Sequence, residues 1–395
     1  MQMTKTRISG WGAISCAGRN AADSIANLMN PAYQCGPFRA SESIGTTLNV
    51  PVFEIPGIPE TEPGRRSHYL AGIAVEEAIQ CAGLTAEQLQ QEETGVIFGT
   101  TIASQLNDLP LYASIRAGEE ASVDSLKRYM EASPAEWIRN RFHLHGPQIT
   151  LSNACASGSD ILGLADMWIK TGQCRRVIAV GADGMNRVPI AGFFSLGVAS
   201  DKACRPFDRD RSGLNLGEGA GALILETEEA ARERGKECSF ALAGYGNACD
   251  AFHITRPHPE GKGLHTAILH AMEQAGVTAS DISFINAHGT ATPANDFCEG
   301  NLFPRIFGEN VKYLSTKGWT GHTLGAAGAL ECVFTILMLE QKKIPASRGF
   351  ANTDPEIPIP PVSCETALGD DVRYALSTSL AFGGSNAAVV VEKVK

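Results

Sequence analysis

Ser152–Ala165 reads SNACASGSDILGLA, and the order of residue types within it decides the architecture. Just upstream, Ile149–Leu151 is extended and apolar; downstream, Ile161, Leu162, Ala165, Trp168 and Ile169 recur at three- and four-residue steps until Gly172. A strand therefore runs into a tight polar turn and out into an amphipathic helix that a glycine stops. Cys155 occupies that turn, at the helix N-terminus, where unpaired N–H groups and the helix dipole favour a thiolate. Eleven cysteines are present, and most cysteines are inert core residues; local context singles out Cys155.

The stretch has a second copy. Ser315–Gly328 reads STKGWTGHTLGAAG, and two further pairs match in the same order: Ile8–Gly12 with Leu242–Gly246, and Ala74–Ala86 with Ala267–Ala279. Each copy reads strand, helix, strand, then strand–turn–helix and another strand. That alternation predicts a layered α/β fold with mostly parallel pairing inside each half. The repeats are too long and too few for a solenoid. We place the halves at residues 1–235 and 236–395, within one globule. A pseudo-twofold relation between them would turn the Cys155 turn and the Lys317–His322 turn toward one pocket.

Two polar islands complete the chemistry. Asn286–Pro293 (NAHGTATP) carries His288, and Ser315–His322 carries Lys317 and His322. A cysteine supplies a nucleophile, histidines supply hydrogen-bonding acid or base, and a lysine supplies a fixed charge. The other reading of Lys317 is an ion pair with Glu331 or another carboxylate.

With these motifs in order, and with Ala381–Asn386 (AFGGSN), Cys204–Glu226 and Asp250–Pro257, the chain resembles the elongating β-ketoacyl-acyl carrier protein synthases, condensing enzymes of the thiolase fold. The resemblance spans essentially the whole sequence. It implies an α/β thiolase-like fold of duplicated α-β-α-β-α halves about a pseudo-twofold axis, and an acyltransferase. The reaction it implies is decarboxylative condensation of malonyl-carrier protein with an acyl chain held on Cys155, in fatty-acid or type II polyketide or polyene biosynthesis. It gives His288 and His322 the role of donors and Lys317 that of the orienting charge. The N–H groups of Cys155 and Phe382 form the oxyanion hole, and Phe382 is the gate. Thr255, Thr290 and Thr292 contact the phosphopantetheine arm, Asp296 and Glu299 are supporting acids, and Arg65 and Arg66 dock the carrier. It implies no cofactor and no metal, because the substrates ride on the acyl carrier protein. The partners are that carrier and a second subunit, in a homodimer or a heterodimer with a chain-length factor. The alternative is that this chain is itself such a non-catalytic factor; those typically lose the nucleophile, which is present here.

Departures from the family pattern are Asn153 for Thr, Asn295 for Gly, Gly318–Trp319 after the lysine, and Ala381 for Gly. Ala resists positive φ, so Ala381 is expected to stiffen the gate. Trp319 either reshapes the acyl pocket or belongs to the core. Thr100–Leu111 is expected to help line the acyl tunnel and, with the segment before Pro147, to meet a partner subunit.

Composition narrows the classes. The formal net charge is −10, which argues against nucleic acid; basic clusters at Arg65–Arg66, Lys127–Arg128 and Arg205, Arg209, Arg211 leave room for local docking of an acidic carrier. No membrane span or signal peptide is expected, and free thiols in a cytoplasmic enzyme fit the absence of a CxxC pair. Gly217–Gly221 (GEGAG) imitates a dinucleotide fingerprint but precedes its strand, so tight backbone packing is the reading. Asp208, Asp210, Ser212 and Gly213 imitate a calcium loop that lacks its closing glutamate. His143 and His145 read as solvated.

Overall fold

The computed structural model describes residues 5–39, 48, 50–59, 65–91, 94–102, 109–130 and 133–394. Among the described residues, ten strands form the main sheet: β1 (Thr6–Ser15), β2 (Thr94–Gly99), β3 (Gln148–Leu151), β4 (Arg176–Asp183), β5 (Gly219–Thr227), β6 (Phe240–Cys249), β7 (Ile282–Asn286), β8 (Tyr313–Leu314), β9 (Tyr374–Leu380) and β10 (Ser385–Lys393). The helices that position the site are α1 (Arg66–Ala82), α2 (Ser157–Lys170), α3 (Arg187–Ser195), α4 (Lys262–Ala275), α5 (Pro293–Phe307), the single turn α6 (Lys317–Thr320) and α7 (Ala327–Gln341).

Strand order is β8-β7-β9-β10-β6-β1-β5-β4-β2-β3. Read outward from the β6–β1 junction, the two runs are one arrangement used twice. In each, two pairings are parallel (β2–β4 and β2–β3; β7–β9 and β7–β8) and two antiparallel (β1–β5 and β4–β5; β6–β10 and β9–β10). The expectation of mostly parallel pairing thus holds for only half of each run. The reason is local in the second copy, where β9 turns directly into β10 across Ala381–Gly384 and a hairpin must be antiparallel.

The matched glycines explain how each first strand meets its helix. A Cβ on Gly10 or Gly12 would overlap the carbonyl oxygens of Ala78 and Ala74, and one on Gly244 or Gly246 those of Ala271 and Ala267. Strand and helix backbones therefore touch in the same way in both copies. The third match breaks register. After β8 the chain makes α6 and the 3-10 turn Leu324–Ala326 before α7 opens at Ala327, whereas α2 opens soon after β3. Gly158 of α2 then meets Gly325, Gly328 and Ala329 at the start of α7, backbone to backbone.

The core follows these layers. One cluster, with Ile161, Trp168, Leu330, Val333 and Val389, fills the middle around α2 and α7; a second lies under α1 with Leu70, Val75, Phe98 and Val180, and a third under α4 with Leu264, Ile268, Ile285 and Val390. Leu324–Gln341 is long and apolar enough to cross a membrane, but 89% of it is buried inside the protein. Its apolar faces are covered by both halves, each large side chain contributing roughly 1.5–3 kcal/mol through burial.

Candidate active site

Cys155 lies in the turn between β3 and α2. The turn is strained, with Ala154 at φ 46°, and Ser157 braces it: its Oγ accepts from the Asn153 N–H at 2.8 Å and donates to the Ala154 carbonyl at 2.6 Å. Cys155 is 3% exposed and lines a cavity of about 230 Å³. His288, His322, Phe382, Thr255, Thr290 and Thr292 line the same cavity. Residues far apart in sequence thus share one wall, as the duplication leads one to expect.

His322 Nε2 stands 3.0 Å from Cys155 Sγ. Its ring meets that of His288 edge-on, with centroids 5.1 Å apart. Burial, with the Lys317 charge nearby, holds both imidazoles well below the ordinary histidine range, so both are neutral. Lys317 Nζ lies 3.3 Å from His288 Nδ1 and also donates to Glu331. An ammonium can only donate, so His288 Nδ1 accepts and its proton sits on Nε2. His322 Nδ1 has no hydrogen-bond partner among the described residues, so nothing there fixes its tautomer. Lys317 thus contacts both His288 and Glu331, so its two readings are compatible. Burial pushes the Glu331 carboxyl up to about 7 against the pull of that ammonium.

The His288 turn is held from α5. Glu299 accepts from the N–H groups of His288 and Gly289 at 2.9 and 2.7 Å, and Asp296 accepts from Ala291 at 3.1 Å and Phe207 at 2.6 Å. These buried acids are spent on backbone. The Asn295 side-chain Nδ2 donates a further hydrogen bond to Glu299 at 2.9 Å. Thr290 and Thr292 hydroxyls stand 2.9 Å apart.

The resting nucleophile differs from the sequence expectation. Burial pushes the Cys155 thiol up to about 12, against the Lys317 charge and the N–H groups of Phe382 and Cys155. Desolvation outweighs the helix N-terminus, and the resting group is a thiol. Cys155 and Phe382, the two residues expected to form an oxyanion hole, line the same cavity. The Phe382 ring stacks on Phe193 of α3, centroids 5.4 Å apart. Ala381 carries no positive φ; Gly383 and Gly384 do, at 90° and 83°, so the expected stiffening at Ala381 falls away.

Arg66 is corrected. Its Nε and Nη2 each donate to Glu218 at 2.6 Å, and Glu218 is fully buried. A guanidinium neutralised inside the fold is not a docking charge. Arg65 stays half-buried beside His68, at 3.4 Å. Trp319 is core, its ring covered by the Arg348 guanidinium at 4.4 Å. The GEGAG glycines pack against Thr320, Ile14 and Leu330 backbone, as read. Asp208 accepts from the N–H groups of Asp210, Ala351 and Asn352, and His143 and His145 are exposed. Residues 103–108 of the expected tunnel segment lie outside the described residues, as does the Arg128 side chain. Sequence reasoning missed Phe193, Val198, Leu214 and Leu380 as pocket walls; Phe193–Phe194 in an otherwise unremarkable helix was the available signal.

Residues 58–231 match the β-ketoacyl synthase N-terminal domain and residues 240–351 the β-ketoacyl synthase C-terminal domain. The 3-oxoacyl-[acyl-carrier-protein] synthase 2 of Synechocystis sp. is 32% identical over 413 aligned positions, covering 100% of this chain and 99% of that one. Among solved structures, the ishigamide ketosynthase/chain length factor aligns with a TM-score of 0.89 at 31% identity over 100% of both chains. The ketosynthase ApeO in complex with its chain length factor ApeC, from Xenorhabdus doucetiae, aligns at 0.85 and 30% identity, over 100% of this chain and 99% of that one.

Proposed function

This chain belongs to the β-ketoacyl synthase family, and from that premise we propose that it elongates acyl chains by decarboxylative Claisen condensation of malonyl-carrier protein. The observation that carries the reading is Cys155 Sγ at 3.0 Å from His322 Nε2, in a cavity that His288 shares.

An acyl thioester arrives on the phosphopantetheine arm, passing Thr255, Thr290 and Thr292. Cys155 attacks its carbonyl carbon while its proton moves to His322 Nε2, then on to the departing pantetheine sulfur. His322 can serve in this way because its tautomer is free. The tetrahedral oxygen sits against the N–H groups of Cys155 and Phe382, each such donor contributing about 3–4 kcal/mol to the transition state. Malonyl-carrier protein follows. Its C–C bond to the carboxylate breaks, CO2 leaves, and the electron pair forms an enolate whose oxygen takes Nε2–H bonds from His288 and His322. The enolate carbon attacks the Cys155 thioester, and collapse releases 3-ketoacyl-carrier protein. The cysteine leaves as thiolate and takes a proton from solvent.

The same chemistry serves type II polyketide, polyene and fatty-acid elongation, in the cytoplasm. The boundary between halves falls at Gly235/Lys236, just before β6. The nucleophile and the His–Lys–His set favour the catalytic subunit over a chain-length factor. Partners are the acyl carrier protein, with Arg65 at its docking face, and a second ketosynthase-like chain. Strand β3 ends the sheet with Ile149 exposed, an edge suited to pairing with a second subunit.

Labelled malonyl-carrier protein tests the reading. The wild type with acyl-carrier protein should release CO2 and 3-ketoacyl product. Cys155→Ala should give no product, and Cys155→Gln should still release CO2, its amide standing in for the thioester. Product from the Cys155→Ala protein would sink the nucleophile assignment.

A further inference from the structure

The two N–H groups that the ketosynthase reading gives to the oxyanion hole belong to residues of one cavity but come from opposite halves of the chain, Cys155 from the elbow after β3 and Phe382 from the β9–β10 turn. They act together only if they converge on one point, because an oxyanion needs its donors at about 2.7–3.1 Å. The turn is tied to its own half by Gly383 N–H to the Ile254 carbonyl and by Asp250 N–H to the Gly384 carbonyl, both at 2.7 Å. Within the turn, Gly384 N–H to the Ala381 carbonyl at 3.1 Å fixes the peptide plane that carries the Phe382 N–H, so what remains to be set is how the turn as a whole stands against the Cys155 elbow.

Asn153, two residues before the nucleophile, bridges the gap. Its Nδ2 donates to Ser385 Oγ at 2.8 Å and to Asp160 Oδ2 at 2.5 Å. Ser385 closes the Phe382 turn, its carbonyl accepting from Ala381 N–H at 2.7 Å. Asp160 on α2 is buried, and its Oδ1 accepts from the Tyr245 hydroxyl of β6 at 2.7 Å. A carboxylate only accepts, so Asp160 dictates that the amide turns its nitrogen inward, and both N–H groups are then used. A threonine at this position would bring one O–H donor and could not make both bonds.

We infer that Asn153 is a positioning residue for acyl transfer: through Ser385 it fixes where the Phe382 N–H points relative to the Cys155 N–H. The inference rests on the ketosynthase reading above.

Two single-turnover rates on the full chain test it. One is acylation of Cys155 by an acyl-carrier protein, which passes through an oxyanion. The other is alkylation of Cys155 by iodoacetamide, which expels iodide and forms none. Asn153→Ala and Ser385→Ala should each slow acylation about tenfold, as loss of oxyanion alignment does, while alkylation stays within about twofold. Because both act through one bond, the double variant should be no slower than the slower single one. Ser385→Ala removes only a hydroxyl, and so guards against a folding defect in the Asn153 variant. Acylation by Ser385→Ala within about threefold of wild type, additive losses, or parallel loss of alkylation would overturn the inference. A wild type that is alkylated but never acylated would overturn the ketosynthase reading and this inference with it.

Discussion

Around Cys155, desolvation sets the protonation states. The thiol pushed up to about 12 means that the thiolate fraction grows about tenfold per pH unit across the working range. Iodoacetamide alkylation of Cys155 should therefore rise with a log-rate slope of about one from pH 6 to pH 10, with no plateau; a plateau near neutrality would show a resting thiolate. Lys317 offers a second test. Lys317→Met strands Glu331 in the core and should cost about 3–5 kcal/mol in denaturant unfolding. Adding Glu331→Gln should restore most of that stability. CO2 release should stay low in both, because nothing then holds the His288 proton on Nε2; recovery of activity with stability would make Lys317 purely structural. Cys155, His288, Lys317 and His322 were legible because all lie in short polar motifs, Lys317 and His322 sharing one. The Cys155 protonation state was not, since the burial that sets it is built by residues from both halves. Arg66 was misread for a similar reason: Glu218, its partner, is remote in sequence and reaches it only through the fold.

At the scale of elements, glycines set how closely strands and helices approach. Gly158 is the sharpest case, because an added Cβ would stand 2.6 Å from Ala329 N and 2.8 Å from Gly325 O. Neither atom can yield without shifting α7. Gly158→Ala should destabilise by about 3 kcal/mol or more, at the upper end of overpacking costs, and slow Cys155 acylation, since α2 carries the elbow. Unfolding by urea measures the first effect; an unchanged midpoint would mean that the α2–α7 crossing is looser than these distances. The strand–turn–helix around Cys155 was readable from periodicity alone, and its helix ends beside Gly172 as expected. The later opening of α7 was hidden, because Ser315–Gly328 aligns with the first copy by residue type while the chain spends Lys317–Thr320 on a turn of its own. Antiparallel pairing was hidden too, since alternation of strands and helices says nothing about a closing hairpin.

For the whole molecule, duplication is what makes the site. Each half brings what the other lacks: the first brings Cys155, the second His288, Lys317 and His322, and the pocket exists only where the two meet. The repeat was legible in sequence because the Gly–x–Gly strands and their alanine-rich helices must touch backbone to backbone in both copies. The walls of the pocket were not, because Phe193, Leu214 and Leu380 come from unrelated segments that fold alone brings together. The mechanism requires this chain to be the catalytic subunit. Intact-protein mass spectrometry after mixing with acyl-carrier protein tests that most directly. One acyl group should appear, map to Cys155, and vanish on adding malonyl-carrier protein as 3-ketoacyl product forms. No adduct, or an adduct on another residue with Cys155 still free, would contradict it.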